Sequence, residues 1–228
     1  MNRMAKIGKL YIVATPIGNL EDITVRALKV LGSVDAVICE ERRAGSTLLK
    51  RLGVNFKELL PLNEHNEPVE AANIALRMAN GESFALISDT GTPVFADTGA
   101  ELIRQVVEYG VETVPIPGPS SLTAALSVLD FKLERYVFAG FLSRAPEIRH
   151  KELQHLRALR MPVVLLDTPY RLNALLEAVS KVFGANQRLT LAFDLTLPGE
   201  MICRGTVEEV RHRIGARKGE FVLIIHAE

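Results

Sequence analysis

Along the first half of the chain, apolar and polar residues fall into two recurring textures. Short, mostly apolar runs, Leu10 to Ala14, Ala36 to Cys39, Ser83 to Ile87 and Glu112 to Ile116, read as strands. Their lack of polar alternation predicts cover on both faces. Between them, apolar residues recur at helical spacing. Ile23, Ala27, Leu28 and Leu31 form one such face, with Asp22 the expected cap. Ser46 to Leu52 forms a second, ending at Gly53; a short element follows near Leu59 to Leu62. Val69, Ala72, Leu76 and Ala79 form a third, ending at Asn80-Gly81, and Thr98 to Tyr109 a fourth, ending at Gly110. Strands alternating with crossover helices predict an α/β domain with a mainly parallel sheet and helices on both faces.

The texture changes after Pro115, Pro117, Gly118 and Pro119, which precede a helix of small residues, SSLTAALSVL. Tyr136 to Phe141 reads as a strand, Ser143 to Arg160 as a charged helix, Val163 to Leu166 as a strand and Asn173 to Val182 as a helix. Leu189 to Ala192, Met201 to Cys203 and Phe221 to Ile225 then follow as strands. More strands with fewer helices predict an α+β second domain with a mixed or antiparallel sheet. The boundary is placed between Gly118 and Asp130, giving domains over 1–118 and 119–228.

Composition narrows the class. The 228 residues are 48% hydrophobic and 24% charged, an ordinary globular balance that excludes disorder and fibrous repeats. Lys+Arg 27 against Asp+Glu 27 removes the simplest mark of a nucleic-acid binder and leaves room only for a local basic face. No apolar run approaches the roughly 18–20 residues of a membrane span. The N-terminus runs into a strand without a signal peptide's apolar stretch, so a cytoplasmic protein is expected. Cys39 and Cys203 lie in separate apolar segments and read as buried thiols. The histidines form no metal-ligand spacing, and no metal is expected.

In open parallel sheets, ligands bind where strand ends pass into helices. Three such turns share one composition: Ala14-Thr15-Pro16-Ile17-Gly18-Asn19, Ser88-Asp89-Thr90-Gly91-Thr92-Pro93 and Pro117-Gly118-Pro119-Ser120-Ser121. Glycine admits a ligand to the backbone, proline fixes the turn, and hydroxyls and helix-start N–H groups supply donors. Each turn alone could be a plain tight turn; three at one sheet edge favour a shared pocket. The chain has no GxxxxGK[ST] loop, no GxGxxG opening the first helix and no GxSxG elbow.

The stretches LYIVATPIGNLEDITVRALKVL, ISDTGTPVFADTGAELIR and VPIPGPSSLTAALS resemble the tetrapyrrole-methylase-like family, the class III S-adenosylmethionine (SAM) methyltransferases. Within it they look most like the branch that methylates a ribose 2′-hydroxyl of small-subunit (16S) ribosomal RNA. The likeness is dense over about residues 9–142 and continues through Arg204 to Thr206 and Lys218 to Ile225. It implies two α/β domains with SAM in a cleft between them, a homodimer, and ribosomal RNA as partner. The resemblance maps cofactor contacts onto Gly91, Thr92, Pro93, Ser120 and Ser121, with Pro16, Ser88, Asp89 and Phe95 in the flanking turns. From the second domain it implies Leu166, Asp167 and Ala192, and the last strand near Gly219-Glu220.

Some residues depart from that branch. Its EDTR-H-T-R pattern reads Glu40-Glu41-Arg42-Arg43-Ala44-Gly45-Ser46 here, keeping Glu40 and Arg43. Its YESPHR reads Leu166-Asp167-Thr168-Pro169-Tyr170-Arg171, and its ARELTKLHEE becomes AFDLTLPGE from Ala192, with Phe193 and Leu197 replacing cations. RNA phosphates call for cations, so a tetrapyrrole or other small acceptor, and a non-catalytic SAM-binding protein, stay open as alternatives. Basic residues gather in two stretches, Arg144, Arg149, His150, Lys151, His155, Arg157 and Arg160, and Arg42, Arg43, Lys50 and Arg51. These are either solvated helix faces or a border for a polyanion. A ribose hydroxyl must lose a proton on methylation. Glu40 and Arg43 are the catalytic or substrate-side candidates, with Asp89 and Tyr170 as further possibilities.

Overall fold

The computed structural model describes residues 7–95 and 98–227. The chain divides into two compact units, one up to Ser120 and one from Ser121. The first contains β1 (Lys9–Val13), α1 (Val25–Leu31), β2 (Ala36–Cys39), α2 (Arg42–Arg51), β3 (Leu59–Pro61), α3 (Glu67–Ala79), β4 (Phe84–Ile87), α4 (Ala100–Glu108) and β5 (Glu112–Ile116). Among the described residues its sheet runs β3-β2-β4-β1-β5, and every neighbouring pair is parallel. Leu10, Ile38 and Leu86 pack with Ile74, Met78 and Leu102 of α3 and α4. Val13, Val37 and Ala85 pack with Ala27, Leu31 and Leu49 of α1 and α2. Both faces are therefore covered, as the unbroken apolar runs require.

The second unit contains α5 (Ser121–Ser127), β6 (Val137–Gly140), α6 (Pro146–Ala158), β7 (Val163–Asp167), α7 (Leu172–Phe183), β8 (Arg188–Phe193), β9 (Met201–Thr206), α8 (Val207–Ile214) and β10 (Phe221–Ile225). Its sheet order is β6-β7-β10-β8-β9; β6 and β7 are parallel and the other neighbours antiparallel. Helix α5 supplies Leu122 and Ala125 to one face, against Val164, Ala192 and Val222. Leu153, Leu176 and Val210 of α6, α7 and α8 cover the other face.

Three local features differ from the sequence expectation. Asp22 ends a 3-10 turn over Leu20–Asp22, and Thr24 caps α1 by accepting from the Ala27 N–H. Helix α2 starts at Arg42 instead of Ser46 because the Glu41 carboxylate accepts from the Arg43 and Ala44 N–H groups, both at 3.2 Å. Helix α8 was not expected. A capping box opens it: Glu209 N–H donates to Thr206 Oγ1 at 3.2 Å, and Thr206 N–H donates to Glu209 Oε2 at 2.8 Å.

Candidate active site

Strand order brings the first unit's turns together. β1 lies between β4 and β5, and all three run in one direction, so their following turns leave the same edge side by side. Backbone bonds then join them. The buried Thr15 donates its N–H to Gly91 O at 2.9 Å and its hydroxyl to Ser88 O at 3.0 Å. Thr92 Oγ1 donates to Pro119 O at 3.1 Å. The turn after β4 is set by a hydroxyl, since Thr90 N–H donates to Ser88 Oγ at 3.2 Å. Gly91 has φ +79, and a Cβ there would come within 3.1 Å of Ile17 Cγ2. A side chain would meet both backbone strain and a neighbour.

The other sequence-predicted residues of these turns border that edge. Pro16, Ser88, Gly91 and Pro93 are buried, Ser120 and Ser121 half-buried, and Asp89, Thr92 and Phe95 exposed. Ala96 and Asp97 of the same loop lie outside the described residues. β2 neighbours β4, so the Glu40 turn leaves the sheet next to the Ser88–Asp89 turn. Glu40 is exposed, and the helix-capping role belongs to Glu41. Arg43, in the first turn of α2, borders a hollow of about 580 Å³ with Arg42, Ser46, Lys57 and Glu58. Between these turns Cys39 is closed off; burial first, then the negative Asp89 and Glu41, push its thiol up to about 12. It is a packing group, without thiolate chemistry at neutral pH.

In the second unit, Leu166, Val222 and Ala192 face one another across β7, β10 and β8. They form an apolar row at the carboxyl ends of β7 and β8. Asp167, the next residue of β7, points to the opposite face by strand alternation. Its side chain is 1% exposed, accepts from the Thr168 N–H at 2.8 Å, and lies 3.3 Å from Arg171 Nε. Arg171 also donates to the carbonyls of Leu142 and Ser143, so it holds the turn into α6. Burial raises the Asp167 pKa, against the pull of Thr168, Arg171 and Arg149. The structure thus gives the Asp167 side chain an ion-pairing role and separates it from the Leu166–Ala192 row.

Sequence reasoning quoted Thr15 in its turn but did not single it out. The available signal was a hydroxyl placed just past an apolar strand, where a buried backbone carbonyl needs a donor. Asp194 and Lys218 were likewise not singled out; both lie at the same end of the second sheet, beside Glu220 and Tyr170. Among the described residues, no three His, Cys, Asp or Glu side chains gather around a metal-sized site. Among them, no helix is long and apolar enough to cross a membrane.

Comparison with known proteins adds a family. A family profile described as Tetrapyrrole (Corrin/Porphyrin) Methylases matches residues 9–211. The chain is 37% identical over 226 residues to a Xylella fastidiosa protein named ribosomal RNA small subunit methyltransferase I, covering 97% of this chain and 82% of that one. It is 38% identical over 222 residues to the protein of that name from Escherichia coli O157:H7, covering 96% and 77%. A uroporphyrin-III-C-methyltransferase from Thermus thermophilus superposes with a TM-score of 0.65 at 23% identity, over 96% of this chain and 94% of that one. That likeness concerns the fold alone.

Proposed function

Because the chain belongs to the tetrapyrrole (corrin/porphyrin) methylase family, we propose that it transfers a methyl group from SAM to a ribose 2′-hydroxyl of small-subunit ribosomal RNA. S-adenosyl-L-homocysteine is the second product. The observation that carries this reading is the 36–38% identity, over nearly the whole chain, to relatives named ribosomal RNA small subunit methyltransferase I. The protein would work as a homodimer in the cytoplasm, as the family likeness implies.

The residues present fit the cofactor's chemistry. The edge built by the turns after β1, β4 and β5 combines short side chains with the hydroxyls of Thr92, Ser120 and Ser121 and the exposed carboxylate of Asp89. These suit the hydroxyls, carboxylate and ammonium of an adenosyl amino acid. Pro16, Ser88, Gly91, Pro93 and Phe95 shape that edge, and the family likeness adds Leu166, Asp167 and Ala192 as cofactor contacts. When bound, SAM supplies an already activated methyl group on a sulfonium. The protein's own task is then alignment, exclusion of water and removal of one proton. Glu40 and Asp89, on neighbouring turns, are the carboxylates able to take the ribose hydroxyl proton, and Arg43 would hold a phosphate beside them.

Incubation with methyl-labelled SAM and small ribosomal subunits tests this reading. Label recovered in an alkali-resistant dinucleotide, the mark of a 2′-O-methyl ribose, is the expected result. Label found only in added tetrapyrroles, or nowhere, would overturn it.

A further inference from the structure

A hollow of about 560 Å³ opens in the second unit at the carboxyl ends of β7 and β8, where β10 begins. Its walls include Thr168, Tyr170, Asp194, Lys218 and Glu220. Tyr170 is 81% exposed, an unusual cost in apolar surface for a large ring. The ring is nonetheless held: Lys218 Nζ sits 5.1 Å from its centroid on one face. One face of the ring thus meets an ammonium, while the high exposure leaves aromatic surface open to a planar partner. Opposite, Asp194 adopts a left-handed backbone, φ +48, and its Oδ1 accepts from the Glu220 N–H at 3.0 Å. A Cβ on Gly219 would come within 2.3 Å of that Oδ1, so glycine is what lets the Asp194 carboxylate close on the Glu220 main chain.

An open aromatic surface, an ammonium and a pair of carboxylate acceptors are the partners of a base, a phosphate and ribose hydroxyls. We propose that this hollow seats an unpaired nucleotide of the RNA substrate, with its base stacked on Tyr170, a phosphate on Lys218 and ribose hydroxyls donating to Asp194 and Glu220. The assignment rests on the RNA reading above and adds to it which side chains grip the strand. Partial burial and the negative Asp194 raise the Glu220 pKa, as suits a carboxylate that receives a hydroxyl proton donor at close range. Tyr170 and Lys218 are far apart along the chain. The antiparallel start of β10 beside the end of β7 brings them together.

The probe is a fluorescein-labelled single-stranded oligouridylate, titrated into the full chain and its variants, with SAM affinity measured separately by calorimetry. Tyr170→Ala is expected to weaken oligonucleotide binding about tenfold or more, and Tyr170→Phe to restore it, because stacking needs the ring and not the hydroxyl. Lys218→Ala is expected to lower the slope of log affinity against log salt by about one. SAM affinity stays within about twofold in all three, consistent with one lost contact being distinct from a lost cofactor site. Wild-type oligonucleotide affinity in the Tyr170→Ala chain, absence of binding by the parent chain, or a loss of SAM affinity in place of RNA affinity would each overturn the proposal. Methylation of small subunits by the parent chain is scored independently. Methylation with an unaffected Tyr170→Ala variant removes this hollow and keeps the proposed function; Tyr170-dependent binding without methylation does the reverse.

Discussion

The carboxyl edges of the two sheets are built by different means. In the first unit the edge is made of main chain: Thr15 joins the Ser88 and Gly91 carbonyls, Thr92 reaches the Pro119 carbonyl, and Gly91 takes a conformation few side chains tolerate. In the second unit it turns on charged and aromatic side chains: the Asp167–Arg171 pair, the Asp194 carboxylate on the Glu220 N–H and the Lys218 ammonium over the Tyr170 ring. The difference explains where the sequence keeps its family likeness. A backbone-built edge admits little change, and the resemblance to the family noted in the sequence is carried by ATPIGN, SDTGTP and PGPSS. A side-chain-built edge can exchange its partners while the strands stay in place, and it is there that LDTPYR and AFDLTLPGE depart.

The largest stability effect should come from the second edge. Asp167→Ala removes one member of a buried ion pair and is expected to cost about 3 kcal/mol, read by urea denaturation. The same group carries a pH signature. Its pKa is raised in the folded state, so the protonation-linked part of its contribution is full below the ordinary value of 3.8 and is lost as pH rises through the folded value. Relative to Asp167→Asn, the parent chain should therefore lose stability on going from acid towards neutral pH. A difference that is flat, or that grows with pH, contradicts the burial account.

A smaller effect is expected at the first edge. Thr15→Ala leaves the buried Ser88 carbonyl without its hydroxyl donor, at about 1–2 kcal/mol. Thr15→Ser, which keeps the hydroxyl, should recover most of it in the same denaturation series. Outside both edges, Thr206→Ala removes the cap of α8 for about 1 kcal/mol and should leave SAM affinity unchanged. If Thr206→Ala cost more than Asp167→Ala, the contrast between the edges would lose its basis.

Much of the scaffold was legible because burial on both faces leaves a continuous apolar signature, as at Leu10 to Ala14 and Phe84 to Ile87. Caps were less legible. Asp22 and Thr24 are both good capping residues, and only the 3-10 turn over Leu20–Asp22 decides between them. Helix α8 was less legible although Thr206 and Glu209 stand at capping-box spacing, because its eight residues carry few apolar positions and follow β9 directly. At the site, the grouping of the turns after β1, β4 and β5 could be read from composition and parallel order. The meeting of Tyr170 with Lys218 could not. It depends on the register of β10 against β7, which no local pattern encodes.

Calorimetric titration of SAM into the parent chain and Gly91→Arg tests the central claim most directly, that the joined turns of the first unit form the cofactor's seat. The account predicts saturable, one-to-one binding by the parent chain and its loss in the variant, with the folded circular dichroism spectrum retained. Equal SAM affinity in the two proteins, or none in the parent, would contradict it.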